Sequence, residues 1–79
     1  FQEMQQYKEA EHWLLRSIHR LPGRVYPYYL LAKLYQEAGD YFPSEKLDWA
    51  IRMVLETEPK VHSRAIDEMR EEVKRMLRQ

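Results

Sequence analysis

Few side chains in this sequence could carry acid–base or metal chemistry. There are three histidines, His12, His19 and His62, and no cysteine. Glu9-Ala10-Glu11-His12 has the Glu-x-x-His spacing of carboxylate-bridged di-metal bundles. Such sites need two of these motifs and two further glutamates facing inward, and only one motif occurs here. His12 and His19 are seven residues apart, about 10.5 Å along a helix, too far for one ion to bind both. At helical spacing they share a polar side with Lys8 and Arg16, so both read as solvent-exposed. His62-Ser63 could pair a base with a nucleophile, but no acid or oxyanion donor accompanies them, and Ser63 fits a helix N-cap. The reading is a non-enzyme with no catalytic residue, cofactor or metal. The remaining chemistry is that of contact: six Tyr, two Trp and two Phe in 79 residues.

Composition narrows the classes. Thirteen basic and thirteen acidic residues give a formal net charge of zero. That removes the basic excess expected of a nucleic-acid or anionic-membrane binder. Mean hydropathy is −0.78, and no run approaches the roughly 18 apolar residues of a membrane span. Without cysteine there are no disulfides, and the compartment is left open. The chain opens on Phe1 in mid-pattern, and is read as a fragment of a longer protein.

Four helices must position these residues, giving an all-α fold. Pro22-Gly23, Gly39-Asp40, Pro43 and Pro59 punctuate the chain, and Leu, Glu, Arg, Lys, Met and Ala dominate between them. Short connections between long helices imply antiparallel neighbours. The first helix is expected over 5–21, with Ala10, Leu14, Ser17 and Leu21 on one stripe, flanked by Tyr7, Trp13 and Ile18. The second is expected over 27–38, with Pro27 in its first turn. Its apolar arc of Tyr28, Leu30, Leu31, Ala32, Leu34, Tyr35 and Ala38 is so broad that it should sit centrally. The third is expected over 44–57, with Ser44 as N-cap and Leu47, Ala50, Ile51, Val54 and Leu55 facing inward. The fourth is expected over 63–78, capped by Ser63. Its narrow arc of Ile66, Met69, Val73, Met76 and Leu77 suits a helix that ends a stack, and Asp67–Arg70, Glu71–Arg75 and Glu72–Arg75 are spaced for ion pairs.

The string Y-K-E-A-E-H-W-L-L-R-S-I-H-R-L-P from Tyr7 resembles the second helix of a tetratricopeptide repeat, through Ala10, Leu14, Ser17 and Pro22. The stretch Y-Y-L-L-A-K-L-Y-Q-E-A-G-D resembles the first helix of the next repeat. Tyr28 stands at the motif's Trp, Leu31 at its Leu, Ala32 at its Gly and Tyr35 at its Tyr. Pro22 and Pro59 are 37 positions apart, against a family period of about 34, so about three extra residues belong in the turn over 39–43. Leu47 and Val54 replace the small residues usual in the last repeat helix. The resemblance implies antiparallel helix pairs of an α-α superhelix, about one and a half repeats plus a C-terminal capping helix. More narrowly, P-G-R-V-Y-P-Y-Y-L-L-A-K-L-Y-Q-E-A-G-D followed by E-P-K-V-H-S-R-A-I-D-E-M-R-E-E-V-K resembles the repeat-bearing C-terminal tail of bacterial O-antigen ligase/polymerase-like membrane proteins. That implies a soluble tail tethered to a bacterial inner membrane through upstream segments.

The resemblance places Tyr26, Tyr29, Lys33, Gln36 and Glu37 on the concave face where such repeats take protein or peptide ligands. The family's carboxylate clamp needs several basic or amide side chains in that groove; the matching positions here hold Tyr29 and Lys33, which argues against it. Trp49 and Met53 form an i, i+4 apolar pair on a charged face. Either the segment 41–43 or 59–61 covers them, or they meet a second subunit. The leading expectation is a non-catalytic protein-interaction or scaffolding module. The alternatives are homo-oligomerisation or capping through Trp49 and Met53, and a regulatory tail of a membrane glycan-polymer enzyme. An apolar patch is also expected at the N-terminal edge, among Phe1, Met4, Leu15 and Ile18.

Overall fold

The computed structural model describes residues 2–59 and 62–77. Four α-helices follow one another: α1 (Gln2–Arg20), α2 (Val25–Ala38), α3 (Ser44–Glu56) and α4 (Arg64–Leu77), with a 3-10 turn (Gly39–Tyr41) between α2 and α3. No strand occurs among the described residues, so the fold is all-α. Phe1 and Arg78, which belonged to the expected N-terminal patch and the end of the last helix, lie outside the described residues, as does Val61.

α2 is the central element and packs against α1, α3 and α4. The cause is its wide apolar arc: Tyr28, Leu31, Ala32, Tyr35 and Ala38 are all buried. The helix begins two residues earlier than expected because Val25 is also drawn into the core. Between α2 and α3 the packing is dry. Leu31, Ala32, Ala50 and Val54 are wholly inaccessible and Ile51 nearly so. α4 contributes Val73 and Met76 to the same core.

The turn over 39–43 is built rather than slack. Gly39 closes α2 at φ 60°, a left-handed value that favours glycine, and its N–H donates to the Tyr35 carbonyl. One 3-10 turn later Phe42 is buried, with its ring edge-on to Tyr35 at 5.1 Å. The turn therefore delivers an aromatic side chain to the core. Pro43, extended at ψ 144°, is the residue that caps α3, and its carbonyl accepts the Lys46 N–H at 3.0 Å. Ser44 is the first residue inside the helix and makes no side-chain cap, contrary to expectation. The Ser63 cap does form, its Oγ accepting the Ile66 N–H at 3.3 Å.

Two further expectations are corrected. On α1 the face turned to the core is Tyr7, Leu14 and Ile18; Ser17 and Leu21 are exposed, and Trp13 is 63% exposed. At 100° per residue Trp13 sits 100° from Leu14, and α2 covers only one side of α1. On α4 the ion pairs formed are Arg64–Glu68 and Lys74–Glu71. Glu72 and Arg70 instead reach across to other elements, because α2 and the end of α3 offer them partly buried partners. Arg70 donates to the Thr57 carbonyl at 2.8 Å, and Leu77 is exposed.

Candidate interaction surfaces

Two Tyr–Glu–Lys clusters tie the outer helices to α2. At the α1 seam, Tyr35 donates its hydroxyl to Glu11 Oε2 at 2.6 Å, and Lys46 Nζ of α3 donates to the same oxygen at 2.9 Å. Three helices thus meet on one carboxylate, whose side chain is only 14% exposed. Burial pushes the Glu11 carboxyl up, but the Tyr35 hydroxyl and the Lys46 ammonium outweigh it and leave it below its ordinary value. The Tyr35 phenol is driven strongly upward by burial and by the hydrogen bond and charge of Glu11. Lys46 also lies over the Phe42 ring at 5.2 Å. At the α4 seam, Tyr29 donates to Glu72 Oε2 at 2.5 Å and Lys33 Nζ stands 3.9 Å from the same oxygen. The hydrogen bond to Glu72 is the main reason the Tyr29 phenol lies above its ordinary value.

This geometry divides the expected concave-face set. Tyr29 and Lys33 are engaged by α4, with Lys33 5.4 Å above the Tyr29 ring. Gln36 and Glu37 are exposed farther along α2, and Glu37 acts electrostatically on Tyr7 of α1. Tyr26 is 54% exposed, 6.3 Å from the Tyr29 ring. The Trp49 and Met53 pair is not stranded on a charged face: Met53 packs against the core, and Trp49 rests edge-on against Tyr28 at 5.7 Å. Trp49 remains 39% exposed.

Tyr26 belongs to a feature the sequence did not single out. A groove of about 660 Å³ runs between the α1–α2 turn and the start of α4. Its walls are Leu21, Tyr26, Val25 and Pro59 with Ile66 and Met69, and Arg24 is the charged residue that lines it. Leu21, Ile66 and Met69 read as core in the sequence, and Pro22-Gly23 as punctuation. The signal was there in principle, since apolar residues at both ends of a tight turn can wall a cleft. Their placement depends on α4 crossing near α2, which no local pattern encodes.

The histidines hold no common site. His12 and His19 are exposed on α1, and His62 stands 3.2 Å from Glu58. Among the described residues no three metal-ligating side chains converge, and no helix is long and apolar enough to cross a membrane. Comparison with protein-family models, with curated proteins and with solved structures returned no match.

Proposed function

We propose that this chain is a non-catalytic protein-interaction module on a tetratricopeptide-like helical stack, and that its ligand is a peptide seated in the groove between the α1–α2 turn and α4. The observation that carries the reading is the groove itself. Its volume falls within the roughly 300–1,000 Å³ of ligand sites, and among the described residues its walls are mostly apolar with Arg24 as the orienting cation, as in such sites. Leu21 and Tyr26 would stay exposed at its mouth without a partner. A peptide with two adjacent apolar side chains and a nearby carboxylate for Arg24 matches this lining. The motif positions of α2 support the stack: Ala32 is wholly buried where the repeat pattern needs a small residue.

Selection of a random displayed-peptide library on the chain tests the reading, with Tyr26→Ala and Met69→Ala as counter-targets. Peptides enriched on the wild type and lost on both variants are expected, and they should be apolar with an acidic position. Failure to enrich any peptide, or enrichment that both variants retain, overturns it.

A further inference from the structure

α1 presents two opposite faces. Inward lie Tyr7, Leu14 and Ile18, packed against the core, with Glu11 bonded to Tyr35. At 100° per residue the opposite face is Gln5, Glu9, His12, Trp13, Arg16 and Arg20, and all six are exposed. Trp13, at 63%, is the most exposed large apolar side chain among the described residues. Its ring neighbours His12 and Arg16, at 6.3 and 5.3 Å, both belong to α1 itself.

The six outward residues form pairs about a single point. Gln5 and Arg20, Glu9 and Arg16, and His12 and Trp13 lie symmetrically about the midpoint between His12 and Trp13. The inward pairs Tyr7 with Ile18 and Glu11 with Leu14 share that midpoint, so the pole of the outward face lies directly behind the centre of the buried stripe. A two-fold axis through this pole, perpendicular to the helix, lays α1 antiparallel on α1 of a second copy. The rest of each chain stays behind its own α1, on the side where α2 packs. Glu9 then falls opposite Arg16, Gln5 opposite Arg20 and His12 opposite Trp13, and each match occurs twice, as in any isologous contact. The acceptors sit in the N-terminal half of the face and the guanidiniums in the C-terminal half, so antiparallel copies complement each other. Were the axis parallel to the helix, Glu9 would face Glu9 and Arg16 would face Arg16, which like-charge repulsion disfavours. Lys8 and His19 stand roughly 70–90° from the pole, at a rim where water screens them.

We propose that the outward face of α1 binds the same face of a second copy of the chain, giving a two-fold antiparallel dimer anchored by Trp13 and set in register by Glu9 and Arg16. A shallow hollow of about 550 Å³ on this face, bordered by Glu9, His12, Trp13 and Arg16, leaves room for the opposing side chains. The indole supplies the contact area, in the manner of an aromatic anchor ringed by polar groups. The charges supply register more than strength, because exposed pairs are individually weak. None of the six residues lines the groove beside α4, so dimerisation and peptide binding are separable.

Analytical ultracentrifugation across a dilution series tests the proposal. The expected result is a monomer–dimer equilibrium that stops at the dimer and weakens as salt rises to about 0.5 M. Glu9→Arg and Arg16→Glu should each weaken self-association by about tenfold, since each change is felt at two contacts. Mixing the two single variants should restore a dimer, because every charge in the mixed pair again meets its opposite. Trp13→Ala should weaken the dimer at least as much as either charge change, with the far-ultraviolet circular dichroism unchanged. A chain that stays monomeric to millimolar concentration, its face left to some other partner, overturns the proposal. So does a dimer that is indifferent to Arg16→Glu or to Trp13→Ala, or a mixture that associates no better than its components.

Discussion

The two seams flanking α2 use the same three residue types and differ in almost every consequence. At the α1 seam Tyr35 is buried and its hydroxyl shares Glu11 with a lysine at 2.9 Å. At the α4 seam Tyr29 is half-buried, and the lysine stands 3.9 Å from Glu72 with both side chains largely in water. The identity of the groups does not set their worth; the surrounding dielectric and the cost of losing a partner do. The α2–α3 seam provides the reference, since it has apolar contact and no polar network at its centre.

The largest effect is expected where volume alone decides. Ala32→Leu inserts three carbons at a wholly buried position, and overpacking of this kind costs about 1–3 kcal/mol, here at the upper end. A melting temperature unchanged from wild type would show that α2 and the helix beside Ala32 are not in close contact. Next comes Tyr35→Phe, which removes a hydrogen bond to a partly buried carboxylate and should cost about 1.5 kcal/mol. Lys46 remains to hold Glu11, which keeps the loss at the low end. Chemical denaturation gives the value directly, and a cost equal to that of Tyr29→Phe would erase the distinction between the seams.

The same cluster dictates how stability varies with pH. Glu11 has a lowered carboxyl in the folded state, so its contribution is present above the ordinary value of 4.5 and fades as pH falls through the folded value. Tyr35 has a raised phenol, so its contribution is present below the ordinary value of 10.0 and fades as pH rises above it. Stability should therefore decline at both extremes, and Tyr35→Phe should blunt both declines. Denaturation midpoints across pH check this; a variant with the same two slopes as wild type would sink the assignment. Tyr29→Phe comes lower in the order, at no more than about 1 kcal/mol, as for exposed pairs. Smallest of all, His12→Ala combined with His19→Ala should stay within about 0.5 kcal/mol, measured by the same denaturation.

These seams also show what a sequence can and cannot disclose. Helix count, the central place of α2 and the Ser63 cap follow from apolar arcs and from Gly, Pro and Ser positions, because those signals act locally. Glu11 is not legible as a partner because it lies in the charged run Lys8-Glu9-Ala10-Glu11-His12 and looks solvated. Yet it stands four residues after Tyr7 and three before Leu14, on the buried stripe, and its partners Tyr35 and Lys46 are remote in sequence. Trp13 shows the converse. Helical spacing sets it beside the apolar stripe, but α1 has too little neighbouring surface to cover it. The groove is illegible for a related reason: its two walls, Leu21 to Tyr26 on one side and Pro59, Ile66 and Met69 on the other, are remote in sequence.

The central position of α2 has a consequence for how the molecule breathes. α1 leans on it from one side through a narrow stripe, while α4 lies across both α2 and α3 through Val73, Met76 and the half-buried Tyr29–Glu72 cluster. Either outer helix can detach while the α2–α3 hairpin stays packed around Leu31, Ile51 and Val54. Amide hydrogen exchange should then resolve three tiers rather than one cooperative block. The slowest tier is α2 with α3, and the two outer helices open independently and sooner. Detachment of α4 would also remove one wall of the groove, so any ligand held there would slow exchange in α4 before it slowed exchange anywhere else.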